Sequence, residues 1–191
     1  MIDSKKKLEF YLHEDRVRNQ MGDKLNYFKY LIQLYYKSDR AIAYRYLKSL
    51  RYYEYALNCY SRNSIMGKLM VWYYRTKNQR LGYKYNIGIH PNVIGYGVYI
   101  PHLIGGGIKI NCISIGNYCT LNLGVLVGNN HHNQEERAII GDNVNLTTGC
   151  KVIGKVKIGN NVVVAPNSVV IKDIPDNCVV SGVPATIIKK N

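Results

Sequence analysis

Aliphatic residues return at every sixth position from Ile140 onward: Ile140, Leu146, Val152, Ile158, Val164 and Val170. The same step runs earlier through Ile115, Leu121 and Val127, with Ile94 and Ile100 before them. A beat of this length suits neither a helix, at about 3.6 residues per turn, nor a half-buried strand, at about 2. It suits a triangular solenoid, in which each hexapeptide makes one flat side and three sides complete a coil. The repeated aliphatic points into the prism. A Gly, Asn or other small residue beside it, as in Ile140-Gly141, Ile158-Gly159 and Val164-Ala165, sits where the chain bends.

The front of the chain carries a different period. Asp3 or Ser4 is placed to cap a first helix whose Leu8, Tyr11 and Leu12 share a face. Helical stripes follow near 24–37 (Leu25, Phe28, Leu31, Ile32, Tyr35), 40–60 (Ala43, Tyr46, Leu47, Leu50, Tyr53) and 64–78. The expected class is α+β: a helical region over residues 1–80, then a parallel β-helix over 81–191 with a short C-terminal tail. Two interruptions break the beat. Gly105-Gly106-Gly107 shifts the register, and the polar stretch 128–138 (GNNHHNQEERA) is expected to project as a loop.

Charge sharpens this division. Residues 1–85 hold 18 Lys/Arg against 7 Asp/Glu and 15 of the 18 tyrosines, whereas 86–191 hold 8 against 5. A basic, Tyr-rich front suits an anionic partner, and a peripheral contact with a membrane surface is one expectation. Tyrosines interleaved with Lys and Arg also raise a nucleic-acid platform, but no RNA- or DNA-binding motif accompanies them, and no nucleic-acid partner is expected. Cys59, Cys112, Cys119, Cys150 and Cys178 lack CxxC spacing and are odd in number, which fits free, buried thiols in a reducing compartment. With no signal-peptide pattern at the start and no long apolar run, a cytoplasmic location is expected, extending to the inner face of the membrane.

Five histidines are the main candidates for chemistry: His13, His90, His102, His131 and His132. His13 lies in a charged helix. His90 precedes Pro91 at the solenoid entrance and reads as a structural cap. His102 stands between Pro101 and Leu103, just before the triple-glycine break, where small residues leave room for a substrate. His131 and His132 share the projecting loop with Glu135 and Glu136. There is no GxSxG elbow, no phosphate loop and no Cys/His metal spacing.

The segments LGYKYNIGIHPNVIGYGVYIPHLIGGGIKIN, SIGNYCTLNLGVLVG, IIGDNV and SGVPA resemble the left-handed β-helix hexapeptide acyltransferases. Within them the pattern is similar to the serine acetyltransferase-like branch found in capsule and exopolysaccharide clusters. The resemblance covers about residues 80–188. It implies direct acetyl transfer from acetyl-CoA, with His102 as general base and no metal. His131, His132 and Glu135 enter as auxiliary candidates, with Glu135 or Glu136, reaching from a neighbouring subunit, as the substitute carboxylate partner for His102. For acetyl-CoA the matching positions are Thr148 and Gly149, Ala165 and Pro166, then Lys172, with Lys189 where a basic residue meets a CoA phosphate. A homotrimer is implied, because the family's site lies between subunits.

Two departures shape the expected acceptor. Serine acetyltransferases carry an Asp before Ile-His-Pro, where Gly88 stands here, and another before the catalytic histidine, where Pro101 stands. Each lost charge-assisted hydrogen bond costs about 1.5–3 kcal/mol. A saccharide hydroxyl, on a polysaccharide precursor, is therefore the expected acceptor, with serine as the alternative and an inactive trimeric scaffold as a third reading. A solenoid carbonic anhydrase would use His102, His131 and His132, but the His-x4-His spacing it needs is missing.

Overall fold

The computed structural model describes residues 1–61, 63–103, 105–129 and 136–190. Four helices open the chain: α1 (Lys5–Arg18), α2 (Tyr27–Tyr35), α3 (Asp39–Cys59) and α4 (Ile65–Tyr85). Side-chain caps start three of them. Ser4 accepts from the Lys7 amide at 3.3 Å, Asn26 from Lys29 at 3.0 Å and Ser64 from Gly67 at 3.3 Å. The fourth helix continues past residue 78, because only at Asn86 (φ 54°) does the backbone enter the left-handed region that ends it.

Short strands, numbered in chain order, then wind around a triangular prism. One face stacks β1 (Ile87–Ile89), β2 (Ile108–Ile110), β5 (Leu126–Gly128), β8 (Lys151–Ile153) and β11 (Val169–Val170). The second holds β3 (Ser114–Ile115), β6 (Ile139–Ile140) and β9 (Lys157–Ile158). On the third lie β4 (Thr120–Leu121), β7 (Asn145–Leu146), β10 (Val163–Val164) and β12 (Cys178–Gly182). Pairing between coils is parallel. Partners such as Asn145 and Val163, Ile139 and Lys157, or Lys151 and Val169 lie three hexads apart in sequence. The expected left-handed parallel β-helix is therefore present. Its two interruptions appear as longer coils, from Ile87 to its partner Ile108 and from Leu126 to its partner Lys151. The C-terminal tail is itself a strand, β13 (Ala185–Lys190), folded back antiparallel on β12.

Every aliphatic of the six-residue beat is buried, from Ile94, Ile100 and Ile115 to Val164 and Val170. Cys112, Cys119, Cys150 and Cys178 fill interior corners as free thiols. At one corner the bend is sealed by side chains from the next coil. The Asn117 amide donates to Asp142 Oδ1 (2.6 Å), Asp142 to Asn160 Oδ1 (2.8 Å) and Asn160 to Asp176 Oδ1 (2.7 Å).

A buried ionic cluster joins the helices to the first coil. Arg51 reaches Asp15 and Glu54 and donates to the carbonyls of Ile94 (3.1 Å) and Gly95 (2.5 Å). Asp15 accepts from the Val98 amide at 3.1 Å, and Asn19 bonds both the Val98 carbonyl and the Ile100 amide. An open solenoid end has backbone groups without a next coil to pair with, so the helices supply their partners. The same docking brings α3 close to His102.

Candidate active site

His102 follows the buried Ile100 and precedes the buried Leu103, so the chain is anchored on both sides of it. Its own ring is 65% exposed. Asp39, the first residue of α3, comes up beside it: Oδ2 lies 3.8 Å from His102 Nδ1, while the Asp39 side chain is 23% exposed. The other oxygen, Oδ1, is buried without a hydrogen-bond partner. That separation is within ion-pair range and longer than a hydrogen bond. Gly88 occupies an outward position of β1, in register with Lys109; a Cβ there would meet the Lys109 side chain at 3.9 Å.

Two clefts open along the junction of helices and prism. One, of about 660 Å³, is lined by Tyr35, Lys37, Arg45, Lys84, Leu103 and Gly106, and so runs alongside the His102 connection. The other, of about 470 Å³, is lined by Arg75, Asn78, Gly88, His90, Lys109 and Asn111. Asn86 borders both. His90 thus faces a cleft as well as opening the first coil.

The residues matched to acetyl-CoA divide between corners. Thr148-Gly149 joins β7 to β8, and Ala165-Pro166 joins β10 to β11, at the corner where His102 and the triple glycine join the third face to the first. Hydrogen bonds tie these bends into one column. The Gly124 amide donates to Gly107 O, Gly149 to Leu123 O and Asn167 to Thr148 O, each at 2.9 Å. Gly149 has φ 71°, a left-handed bend that a side chain would strain. Lys172 is exposed at the next corner around the prism, and Lys189 is exposed on β13 opposite Val179. β5 ends at Gly128 and β6 begins at Ile139, and residues 130–135 of the expected loop lie outside the described residues. His131, His132 and Glu135 fall outside the described residues. Among the described residues no three His, Cys, Asp or Glu gather in a metal-binding group, and no helix is long and apolar enough to cross a membrane.

Asp39 was not a candidate from the sequence. An acidic residue in the first turn of a helix is ordinary complement to the helix dipole, and nothing in its spacing connects it to a histidine sixty-three positions later. Only the docking of α3 on the first coil does so.

The helices, the parallel coils and the six-residue beat together define a left-handed β-helix of hexapeptide repeats. No family model matches the chain. Serine acetyltransferase from Synechococcus elongatus is 35% identical over 107 residues, 55% of this chain and 43% of that protein. Serine acetyltransferase from Staphylococcus aureus is 38% identical over 107 residues, 55% of this chain and 50% of that one. The chain therefore spans about half the length of the curated relatives it matches. Among solved structures, serine acetyltransferase from Neisseria gonorrhoeae superposes with a TM-score of 0.68 at 22% identity, over 97% of this chain and 66% of that one. A serine acetyltransferase complex with CoA gives 0.69 at 18% identity, over 96% and 71%. These structural likenesses extend through the helices as well as the prism.

The relatives correct the expected saccharide acceptor and the link to polysaccharide biosynthesis: they are named for serine acetylation. The argument against serine rested on the missing carboxylates at Gly88 and Pro101. The substitute weighed for them was a loop carboxylate, Glu135 or Glu136, from a neighbouring subunit, whereas the structure places a carboxylate beside His102 from helix α3 of the same chain.

Proposed function

We propose that this chain is an acetyl-CoA-dependent serine O-acetyltransferase in which His102 is the general base. The observation that carries this reading is the exposed His102 ring at the head of the corner column formed by Thr148-Gly149 and Ala165-Pro166. The similarity to serine acetyltransferases supports both the donor and the acceptor. In the reaction His102 takes the proton of the serine hydroxyl as its oxygen attacks the thioester carbonyl. The new C–O bond forms, the tetrahedral oxyanion collapses, the C–S bond breaks, and the imidazolium returns its proton to the departing CoA sulfur. No covalent enzyme intermediate is required, because the thioester is already activated. Lys172 and Lys189 are assigned to the phosphates of CoA, where an ammonium acts as a compact charge. Since Lys172 lies at a different corner from His102, a homotrimer is proposed to bring one chain's His102 against a neighbour's corner.

The test is release of free CoA thiol from acetyl-CoA by the purified full chain with L-serine. Turnover with serine, lowered about 10²-fold or more by His102→Ala, is the expected result. Acetyl-CoA that remains intact with serine present overturns the reading. Unaltered turnover in the His102→Ala variant removes His102 from it.

A further inference from the structure

We infer that Asp39 is the positioning residue for His102: a carboxylate from the helical region that holds the imidazole in the tautomer with its proton on Nδ1. The inference rests on the proposed role of His102 as general base and deepens it.

Three observations carry it. Asp39 Oδ2 lies 3.8 Å from His102 Nδ1. Its partner atom Oδ1 is buried with no hydrogen bond, and a buried carboxylate oxygen left unpaired is costly. The carboxylate is thus not engaged in capping its own helix or in fixing another element. The strand position at which a carboxylate would have been expected is Gly88, which faces Lys109.

The chemistry follows from which nitrogen holds the proton. A neutral imidazole must present a lone pair to the acceptor hydroxyl. A carboxylate at Nδ1 can only accept, so it selects Nδ1–H and leaves Nε2 free as the base. When the imidazole becomes positive during transfer, the same carboxylate stabilises it. The ring is mostly exposed and its neighbours Ile100 and Leu103 are anchored. Catalytic hydrogen bonds often tighten only once substrate is bound, and the 3.8 Å separation must close to hydrogen-bond length there. An asparagine at this place reverses the pattern: its amide donates to Nδ1 and drives the proton to Nε2.

The experiment compares the full chain with Asp39→Asn and Asp39→Glu, using two readouts. Long-range ¹H–¹⁵N spectra of the imidazoles, with His102→Ala to assign the signal, report the tautomer without requiring any substrate. CoA release with L-serine reports turnover. The expected result is Nδ1–H in the wild type, Nε2–H in Asp39→Asn with kcat lowered roughly 10²-fold or more, and recovery of both in Asp39→Glu. Circular dichroism checks that the variants keep their fold. A His102 tautomer that is the same in wild type and Asp39→Asn overturns the inference, whatever the activity. An Asp39→Asn variant that switches tautomer while the wild type fails to acetylate serine supports the pairing and sinks the proposed function instead. The two failures are therefore separable.

Discussion

Arg51 Nε donates to Asp15 Oδ2 at 2.8 Å, and both side chains are fully buried. Burial works against the Arg51 charge, but Asp15 and Glu54 beside it hold the guanidinium firmly protonated. Asp15 and Glu54 also accept the amides of Val98 and Asn92, so this one cluster closes the open end of the prism. Arg51→Met leaves two buried carboxylates without a counter-charge. Breaking such a pair from one side costs about 3–5 kcal/mol, and urea unfolding of the variant is expected to show a loss of that size. Neutralising Asp15 and Glu54 as well recovers only part of it, because the backbone amides then lose their acceptors. A variant within about 1 kcal/mol of wild type would show that the cap does not depend on the cluster.

Leu146 is fully buried on the third face, stacked between Leu121 and Val164 in adjacent coils. Leu146→Ala empties a slice of the prism that neighbouring coils cannot close, since each coil's height is fixed by strand pairing. The expected cost is about 2–5 kcal/mol. Leu146→Ile, which keeps the volume, is expected to lose less than about 1.5 kcal/mol. The midpoints of chemical denaturation, compared at equal slope, separate the two.

The prism was legible because its signal repeats. Ile140 through Val170 each make the same statement about the interior, so errors at any one position cancel. The helices were legible as amphipathic stripes, although α4 runs on to Tyr85 because its stop depends on the left-handed conformation of Asn86. The site was legible only in part. His102 and the column of Thr148-Gly149 and Ala165-Pro166 belong to one repeating surface, where sequence position maps directly to a corner. Asp39 and the Arg51 cluster depend on how two different elements dock, and contacts such as Asp15 with Val98 join residues with no periodic relation. The acceptor was misjudged from the two positions Gly88 and Pro101, and the relatives named for serine acetylation overturn it.

Gly159 carries its own prediction. A Cβ built there would fall on Asp176 Oδ1, the oxygen that accepts the Asn160 amide at 2.7 Å. Gly159→Ala must displace that carboxylate or open the bend between two coils. Either outcome leaves the corner amide less well satisfied, and the expected loss is about 1–3 kcal/mol. Gly128, whose added Cβ would meet nothing within 4 Å, is the control. Thermal melts of Gly159→Ala and Gly128→Ala are expected to differ, with Gly128→Ala near wild type. Equal melting temperatures would count against a sealed corner.

Alkaline pH should loosen the fold through groups that burial keeps protonated. Desolvation pushes the thiols of Cys112 and Cys150 up to about 12 and that of Cys119 to about 11. It also pushes the phenols of Tyr30 and Tyr46 up to about 12. In the unfolded chain thiols lose their protons near pH 8.5 and phenols near 10. Between those values and the raised ones, the folded state binds more protons than the unfolded state. Stability therefore falls as pH rises, beginning near pH 9 and steepening through about 12. Tyr46 adds a structural term, since its hydroxyl oxygen accepts the Ile89 amide at 3.2 Å. Tyr46→Phe is expected to start less stable and to show a shallower decline above about pH 10, because one of the titrating groups is gone. Urea midpoints measured from about pH 7 to 11 would decide it, and a flat profile across that range would mean these side chains reach solvent in the folded protein.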